Sequence, residues 1–192
     1  MPNSNYFVEK KYTGIDYSAR NIKTGEFEKC TFNNCNFSNT DLSVCSFVDC
    51  GFSGCDLSNA IIEGTVFRDI GFDNCKMLGL QFDKCDKILL SVKFKNSVLN
   101  MSSFHNLKLH NTKFEKCELK EVYFVNADLT NSVFDECDLN KAIFENTVLT
   151  KCDFTSAYNY LIDPEQNKIS KAKFSVHGLR GLLYKYDIVI EG

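Results

Sequence analysis

Large apolar residues recur every five positions along most of the chain, with polar residues between them. The first register runs Phe27, Phe32, Phe37, Leu42, Phe47, Phe52, Leu57, Ile62, Phe67, Phe72, Met77, Phe82, and Phe7, Tyr12, Tyr17 and Ile22 extend it backward. The next large residue in phase is Leu89, seven residues on. A second register follows: Phe94, Leu99, Phe104, Leu109, Phe114, Leu119, Phe124, Leu129, Phe134, Leu139, Phe144, Leu149, Phe154, and later Ile169 and Phe174. All seventeen Phe fall on one phase or the other. A period of five fits neither the 3.6 of a helix nor the 2.0 of a strand. It fits a chain that turns a corner every five residues, so that four units close a square coil of about twenty.

With the large residue called i, all ten Cys sit at i−2: Cys30, Cys35, Cys45, Cys50, Cys55, Cys75, Cys85, Cys117, Cys137 and Cys152. Small or β-branched residues such as Thr40, Thr65, Ser97, Ser132 and Thr147 fill most other i−2 positions. The pattern predicts that i and i−2 both point into the bore, while i−1, i+1 and i+2 face water. Asn recurs at i+2, with Gly54, Gly64 and Gly79 in the same slot, and those residues tolerate positive φ. Successive coils should rise by about 4.8 Å and join through parallel backbone hydrogen bonds. Phe94, Phe114, Phe134 and Phe154 then form one column, and Phe104, Phe124 and Phe144 the opposite one. Cys35 and Cys55, and Cys117 and Cys137, stack beside them in the core. One coil cannot bury enough surface to offset its own ordering, so the fold must be an array. From Tyr17 to Phe154 the beats suffice for about seven coils.

Strings such as CTFNNCNFSNTDLSVCSF, CDLSNAIIEG and NADLTNSVFDECDLNKAIF resemble the pentapeptide repeat family. The stretch FDNCKMLGLQF at 72–82 and the ending LRGLLYKYDIVIEG are similar to its quinolone-resistance and microcin-immunity branch. The resemblance implies an all-β fold, a right-handed quadrilateral β-helix with a C-terminal capping helix. It also implies a protein that binds a type II topoisomerase, DNA gyrase or topoisomerase IV, by imitating DNA in shape and charge, without binding nucleic acid itself.

Two parts are expected: a β-helix over 1–157 and a cap over 158–192. Asn159 and Pro164 occupy in-phase positions they cannot fill as core, so the chain must leave the square path over 158–167. Ser175 is placed to cap a helix over about 176–186, followed by a short strand at Ile188–Ile190. Val176, Leu179, Leu182, Leu183 and Tyr186 form one apolar helix face. In the family resembled, such a module makes a twofold dimer, which assigns these residues with Ile188 and Ile190 to a homodimer interface. The two-residue phase break near 83–88 reads as a bulge on one edge.

Ten Cys raise the question of metal or disulfides. Their five-residue spacing is not that of zinc ligands. The twenty-residue stacking would hold Cβ atoms wider than a disulfide prefers. The start MPNSNYFVEKKY carries no secretion signal, and no stretch is long enough to span a membrane, so a cytoplasmic, reducing setting and free buried thiols are expected. His105 and His110 sit five apart, on different sides of the square. No phosphate loop or nucleophile triad is present, so no enzyme, metal or cofactor is expected.

Charge then decides what surface is left to act. The net charge is −3, with the acidic excess in residues 27–82, which rules against generic phosphate-backbone binding. Twenty-residue stacking places Asp49 over Asp69, Glu115 over Asp135 and Glu118 over Asp138, and these short acidic columns are the candidate partner-binding residues. The alternative is a rigid scaffold that binds another protein without DNA mimicry.

Overall fold

The computed structural model describes residues 5–19 and 22–189. Its chain winds as an all-parallel β-solenoid of about eight turns, one more than the beat count from Tyr17 to Phe154 implies. The extra length comes from both ends, where Tyr12 pairs with Phe32 and Phe174 with Phe154.

The coil has four walls. The first holds β1 (Asn5–Val8), β3 (Gly25–Glu28), β5 (Ser46–Val48) and β7 (Val66–Arg68). The second holds β2 (Lys11–Thr13), β4 (Thr31–Asn33), β6 (Gly51–Ser53), β8 (Ile70–Asp73) and β9 (Val92–Lys95). It continues through β10 (Lys113–Glu115), β11 (Val133–Asp135), β12 (Asp153–Phe154) and β13 (Lys173–Phe174). The third wall is a column of single parallel bridges from Asp16 through Asn36, Asp56, Lys76, Val98, Glu118 and Asp138 to Tyr158. The fourth is bridged in the same way, from Asp41 to Ile61 and from Gln81 through Ser103 and Tyr123 to Ile143. Each residue lies beside the one twenty further on, as Phe27 beside Phe47 and Phe114 beside Phe134.

The bore is filled as the period requires. Phe94, Phe104, Phe114, Phe124, Phe134, Phe144 and Phe154 are all buried, as are Cys35, Cys55, Cys117 and Cys137. Rings stack along each column at 4.8–5.3 Å: Phe94 on Phe114, Phe114 on Phe134, Phe134 on Phe154, Phe104 on Phe124, Phe124 on Phe144. Across the bore the second and fourth walls meet edge to face, Phe114 against Phe124 at 6.0 Å and 83°. Both arrangements suit the ring quadrupole.

Corners explain the rest of the repeat. Residue i+2 takes the left-handed conformation at almost every corner, as at Asn34, Asn39, Asn59, Asn74, Asn106 and Asn126. Two kinds of corner occur. In the closed kind, the N–H three residues after i donates back to its carbonyl, as Cys45 to Leu42, Thr65 to Ile62 and Ala127 to Phe124. With positive φ at the third turn residue these are type II turns. In the open kind a side chain from the next coil bridges the gap. Cys30 N–H donates to Cys50 Sγ (3.3 Å), whose thiol donates to the Phe27 carbonyl (3.3 Å). The Asn167 amide does the same between Thr147 N–H (2.9 Å) and the Phe144 carbonyl (2.9 Å). Cys55 and Cys75 likewise reach the carbonyl of the core residue 23 positions earlier, while at closed corners Thr65, Ser132 and Thr147 give the carbonyls of Leu42, Leu109 and Phe124 a second donor. Small donors therefore dominate i−2 because a buried carbonyl must keep a partner. All ten Cys are free and buried. Burial pushes the Cys50 thiol up to about 11 and those of Cys85 and Cys152 up to about 12, which keeps them protonated and inert.

Three expectations need correction. Leu89 is not the core residue at the phase break: it is exposed with φ 60°, and Leu90 packs on the core in its place. A short 3₁₀ turn at Phe82–Lys84 opens the break, across which the register is 22, with Ile70 beside Val92 and Phe72 beside Phe94, before it returns to 20 at Phe94 and Phe114. The cap helix is a composite: 3₁₀ at His177–Leu179, α1 at Arg180–Leu183 and 3₁₀ again at Tyr184–Tyr186. Ser175 does cap it, its Oγ accepting from Gly178 N–H at 3.1 Å. Ile188 and Val189 form no strand, since no neighbouring strand is presented to them; Ile190 lies outside the described residues.

Candidate functional site

The detour at 158–167 builds the seat of the cap. Asn159 turns the chain with φ 60°, and Tyr160 and Ile162 fill the bore that Asn159 and Pro164 could not. The cap lies on Tyr160 through Gly178 and Gly181. A methyl group at Gly181 would collide with the Tyr160 carbonyl oxygen, and one at Gly178 with its hydroxyl. Ile162 N–H donates to the Gly181 carbonyl (3.0 Å), joining detour and cap. Lys185 Nζ ties the far end to Asp163 (2.8 Å) and Glu165 (2.7 Å), and Tyr186 donates to Glu165 (2.9 Å). Lys185 holds both carboxyls below the usual carboxylate range, and they raise its own pKa.

Of the residues assigned to a dimer interface, Leu182 alone is buried against the rod end and Leu183 is partly buried. Val176 (82% exposed), Leu179, Tyr186 and Ile188 remain at the surface, and Ile190 is outside the described residues. The cap thus uses one apolar edge on its own rod and leaves another open.

The six candidate acids are stacked as spaced, but on three different walls. Glu115 and Asp135 are register partners on the second wall, and Glu118 and Asp138 on the third. Asp49 and Asp69 occupy successive left-handed corners after the first wall. Most are held by neighbours. Lys95 (2.8 Å) and Lys113 (3.1 Å) flank Glu115 and keep its carboxyl below the usual range. Lys120 sits 3.1 Å from Glu118 and 3.5 Å from Asp138, which also accepts from Asn159 Nδ2 (2.8 Å). Ser156 donates to Asp135 and Ser91 to Asp69.

The fourth wall is different. Asp41, Glu63 and Glu145 form no ion pair among the described residues, and Asp83 has only Lys84 at 4.0 Å. Beside them runs an apolar column with Ile61 (52% exposed), Tyr123 and Ile143. The bulge adds Ile88 and Leu89, both well exposed. The twenty-residue spacing also sets Glu63 over Asp83 on this wall, a pair not among the candidates; after the break Asp83 and Glu145 stand in register with His105 and Val125. Writing all four walls out with the two-residue slip would have revealed it.

Among the described residues no group of three or more His, Cys, Asp or Glu side chains could hold a metal, and no helix is long and apolar enough to cross a membrane.

Comparisons with known proteins agree with this architecture. The pentapeptide repeat region model matches residues 25–104, and the pentapeptide repeats (8 copies) model matches residues 117–156. No curated protein matches the sequence. A trypsin-treated form of QnrB1, a plasmid-mediated fluoroquinolone resistance protein, superposes with a TM-score of 0.63 at 21% identity, covering 98% of this chain and 100% of that one. HetL, a pentapeptide repeat protein involved in heterocyst differentiation regulation from the cyanobacterium Nostoc sp. strain PCC 7120, gives a TM-score of 0.35 at 15% identity, over 91% and 86%. With its five-residue beat, four walls and donor-filled corners, the chain belongs to the pentapeptide repeat family and resembles the quinolone-resistance branch in fold.

Proposed function

We propose that this protein is a non-enzymatic binding rod that presents its fourth wall to a basic groove on a partner protein, the DNA-binding saddle of a type II topoisomerase such as DNA gyrase or topoisomerase IV. The carrying observation is that Asp41, Glu63 and Glu145 face out with no cation of their own, beside Ile61, Tyr123 and Ile143. Clustered charge on one side of a rigid rod attracts an oppositely charged groove even when the net charge is small. The apolar column would supply the desolvated contacts that affinity needs. The likeness in fold to QnrB1 supports this partner class. A homodimer through the exposed cap residues Val176, Leu179, Tyr186 and Ile188 would lengthen the rod along its axis.

The Lys pairing on the second and third walls favours a second reading, a scaffold for another protein partner without DNA mimicry. A supercoiling assay with purified gyrase and a fluoroquinolone separates the two. Inhibition or rescue at micromolar protein, lost in the Glu63→Lys/Glu145→Lys variant, supports the topoisomerase reading. No effect of the native protein leaves the scaffold reading in its place. Light scattering of the chain ended after Phe174 tests the dimer; an undiminished dimer refutes it.

A further inference from the structure

We propose that a slot on the second wall, over Gly51 and Gly71, binds a small planar aromatic anion, a function separate from the partner-binding fourth wall. The slot, about 500 Å³, lies between Thr31 and Asn33 of β4 and Lys93 and Lys95 of β9, with β6 and β8 as its floor. Gly51 and Gly71 leave that floor bare, where the same column carries Thr31 before them and Lys93 after. The fold itself asks for neither glycine. Neither has a positive φ, and strand pairing runs through both without a bulge. A Cβ at Gly51 would meet nothing within 4 Å, and one at Gly71 only the Lys93 side chain. Glycine weakens a strand interior, and where no bend or bulge needs it, it marks close approach by a ligand or another backbone.

Shape and charge together select the ligand. The Gly51 and Gly71 N–H groups donate to the carbonyls of Cys30 (3.0 Å) and Cys50 (3.2 Å), so the floor keeps its donors in the sheet and offers a flat face to a ring. Three strand spacings, roughly 14 Å, separate the Thr31 and Lys93 backbones, which leaves room for one or two fused rings between their side chains. Thr31 closes one end and Lys93 the other, which favours a small molecule over an extended peptide. Three lysines against two carboxylates line the slot, and both carboxylates are engaged. Glu115 lies between Lys95 (2.8 Å) and Lys113 (3.1 Å), and Asp73 accepts from Asn96 Nδ2 (3.2 Å). Around the corner, Asp69 is held by Ser91 (3.0 Å). Lys93 forms no ion pair among the described residues, and its stem runs over Gly71 at the end of the slot. An ammonium there would pair with an anionic group on the ring and attract the ring face as well.

Calorimetry and thermal melts of the full chain test this with three probes: naphthoate, its neutral amide and the non-planar cyclohexanecarboxylate. Expected are a melting temperature that rises with naphthoate concentration and binding of both controls weaker by about tenfold or more. Lys93→Met should bring naphthoate down to the level of the amide. Gly51→Val fills the slot with a side chain that a strand accepts, so naphthoate binding should be lost while the melting temperature without ligand holds or rises. Silence toward naphthoate at millimolar concentration overturns the proposal. So does either control binding as tightly, affinity unchanged in either variant, or a lower melting temperature of Gly51→Val, which would mean that the glycine serves the fold. A smaller oligomeric mass of Gly51→Val in light scattering would give the slot to a second copy of the chain instead.

Discussion

At the scale of single residues, the i+2 and i−2 positions carry the local logic of the coil. Val44 breaks the first rule: it is β-branched, 70% exposed, and held at φ 55° where neighbouring corners use Asn or Gly. Its side chain packs only lightly over Gly64, whose added Cβ would stand 3.6 Å from it. Val44→Asn should therefore stabilise the protein by roughly 1 kcal/mol, read from the urea midpoint. A lower midpoint would mean that Val44 has a contact outweighing its strain. Cys50 illustrates the second rule. Cys50→Val keeps the volume but strips the bridge from both the Phe27 carbonyl and Cys30 N–H, at a cost of about 1–3 kcal/mol, whereas Cys50→Ser retains a donor and should cost less. Equal losses in the two variants would show that volume alone matters there.

At the scale of elements, the cap is the part with the most contingent attachment. It is seated by two glycines and latched by one lysine. Gly181→Ala sets a methyl against backbone, the Tyr160 carbonyl, which cannot swing aside. Amide exchange at Ile162, whose N–H donates to the Gly181 carbonyl, should accelerate at least tenfold in that variant while core amides such as Phe124 keep their protection. Acid should release the latch as well. Asp163 and Glu165 are ionised at lower pH in the folded chain than in the unfolded one, because Lys185 stabilises their charge. Their contribution is complete above the ordinary carboxylate range and disappears as the pH falls through the lowered values. The raised Lys185 pKa leaves the alkaline side unaffected until beyond the ordinary lysine range. Ile162 protection, taken relative to the intrinsic exchange rate at each pH, should therefore fall on acidification in the native chain and change less with pH in Lys185→Met.

At the scale of the molecule, the phase break tests whether the rod is one unit or two. Two ring columns run through it without interruption, Phe72 on Phe94 at 5.5 Å and Phe82 on Phe104 at 4.7 Å. Backbone pairing from β8 to β9 crosses it too. Coils couple only to their neighbours, so a weak junction would let the halves melt apart. The continuous columns predict a single unfolding transition, with circular dichroism and tyrosine fluorescence coinciding. Two transitions would place a boundary at the bulge.

The period of five was enough to establish the bore, its seventeen phenylalanines on two phases, the buried thiols and the left-handed corners, because each follows from local geometry repeated many times. The detour at 158–167 was legible too, since Asn159 and Pro164 cannot be core. What replaced them was not, because Tyr160 and Ile162 carry no phase signal. Periodicity also put Leu89 in the core where Leu90 stands, since an insertion frees the chain to choose which neighbour turns inward. The acids show the same division. Spacing stacked Glu115 on Asp135 and Glu118 on Asp138, and Lys113 and Lys120 lie two residues from Glu115 and Glu118, but the Lys95–Glu115 and Lys120–Asp138 pairs arise from side chains meeting across coils. Sequence by itself determined the tube, through a steric and hydrophobic rule that every repeat obeys. Tertiary structure alone decided which wall keeps unneutralised charge and where the cap docks, because both depend on residues far apart in the chain coming within a few ångströms.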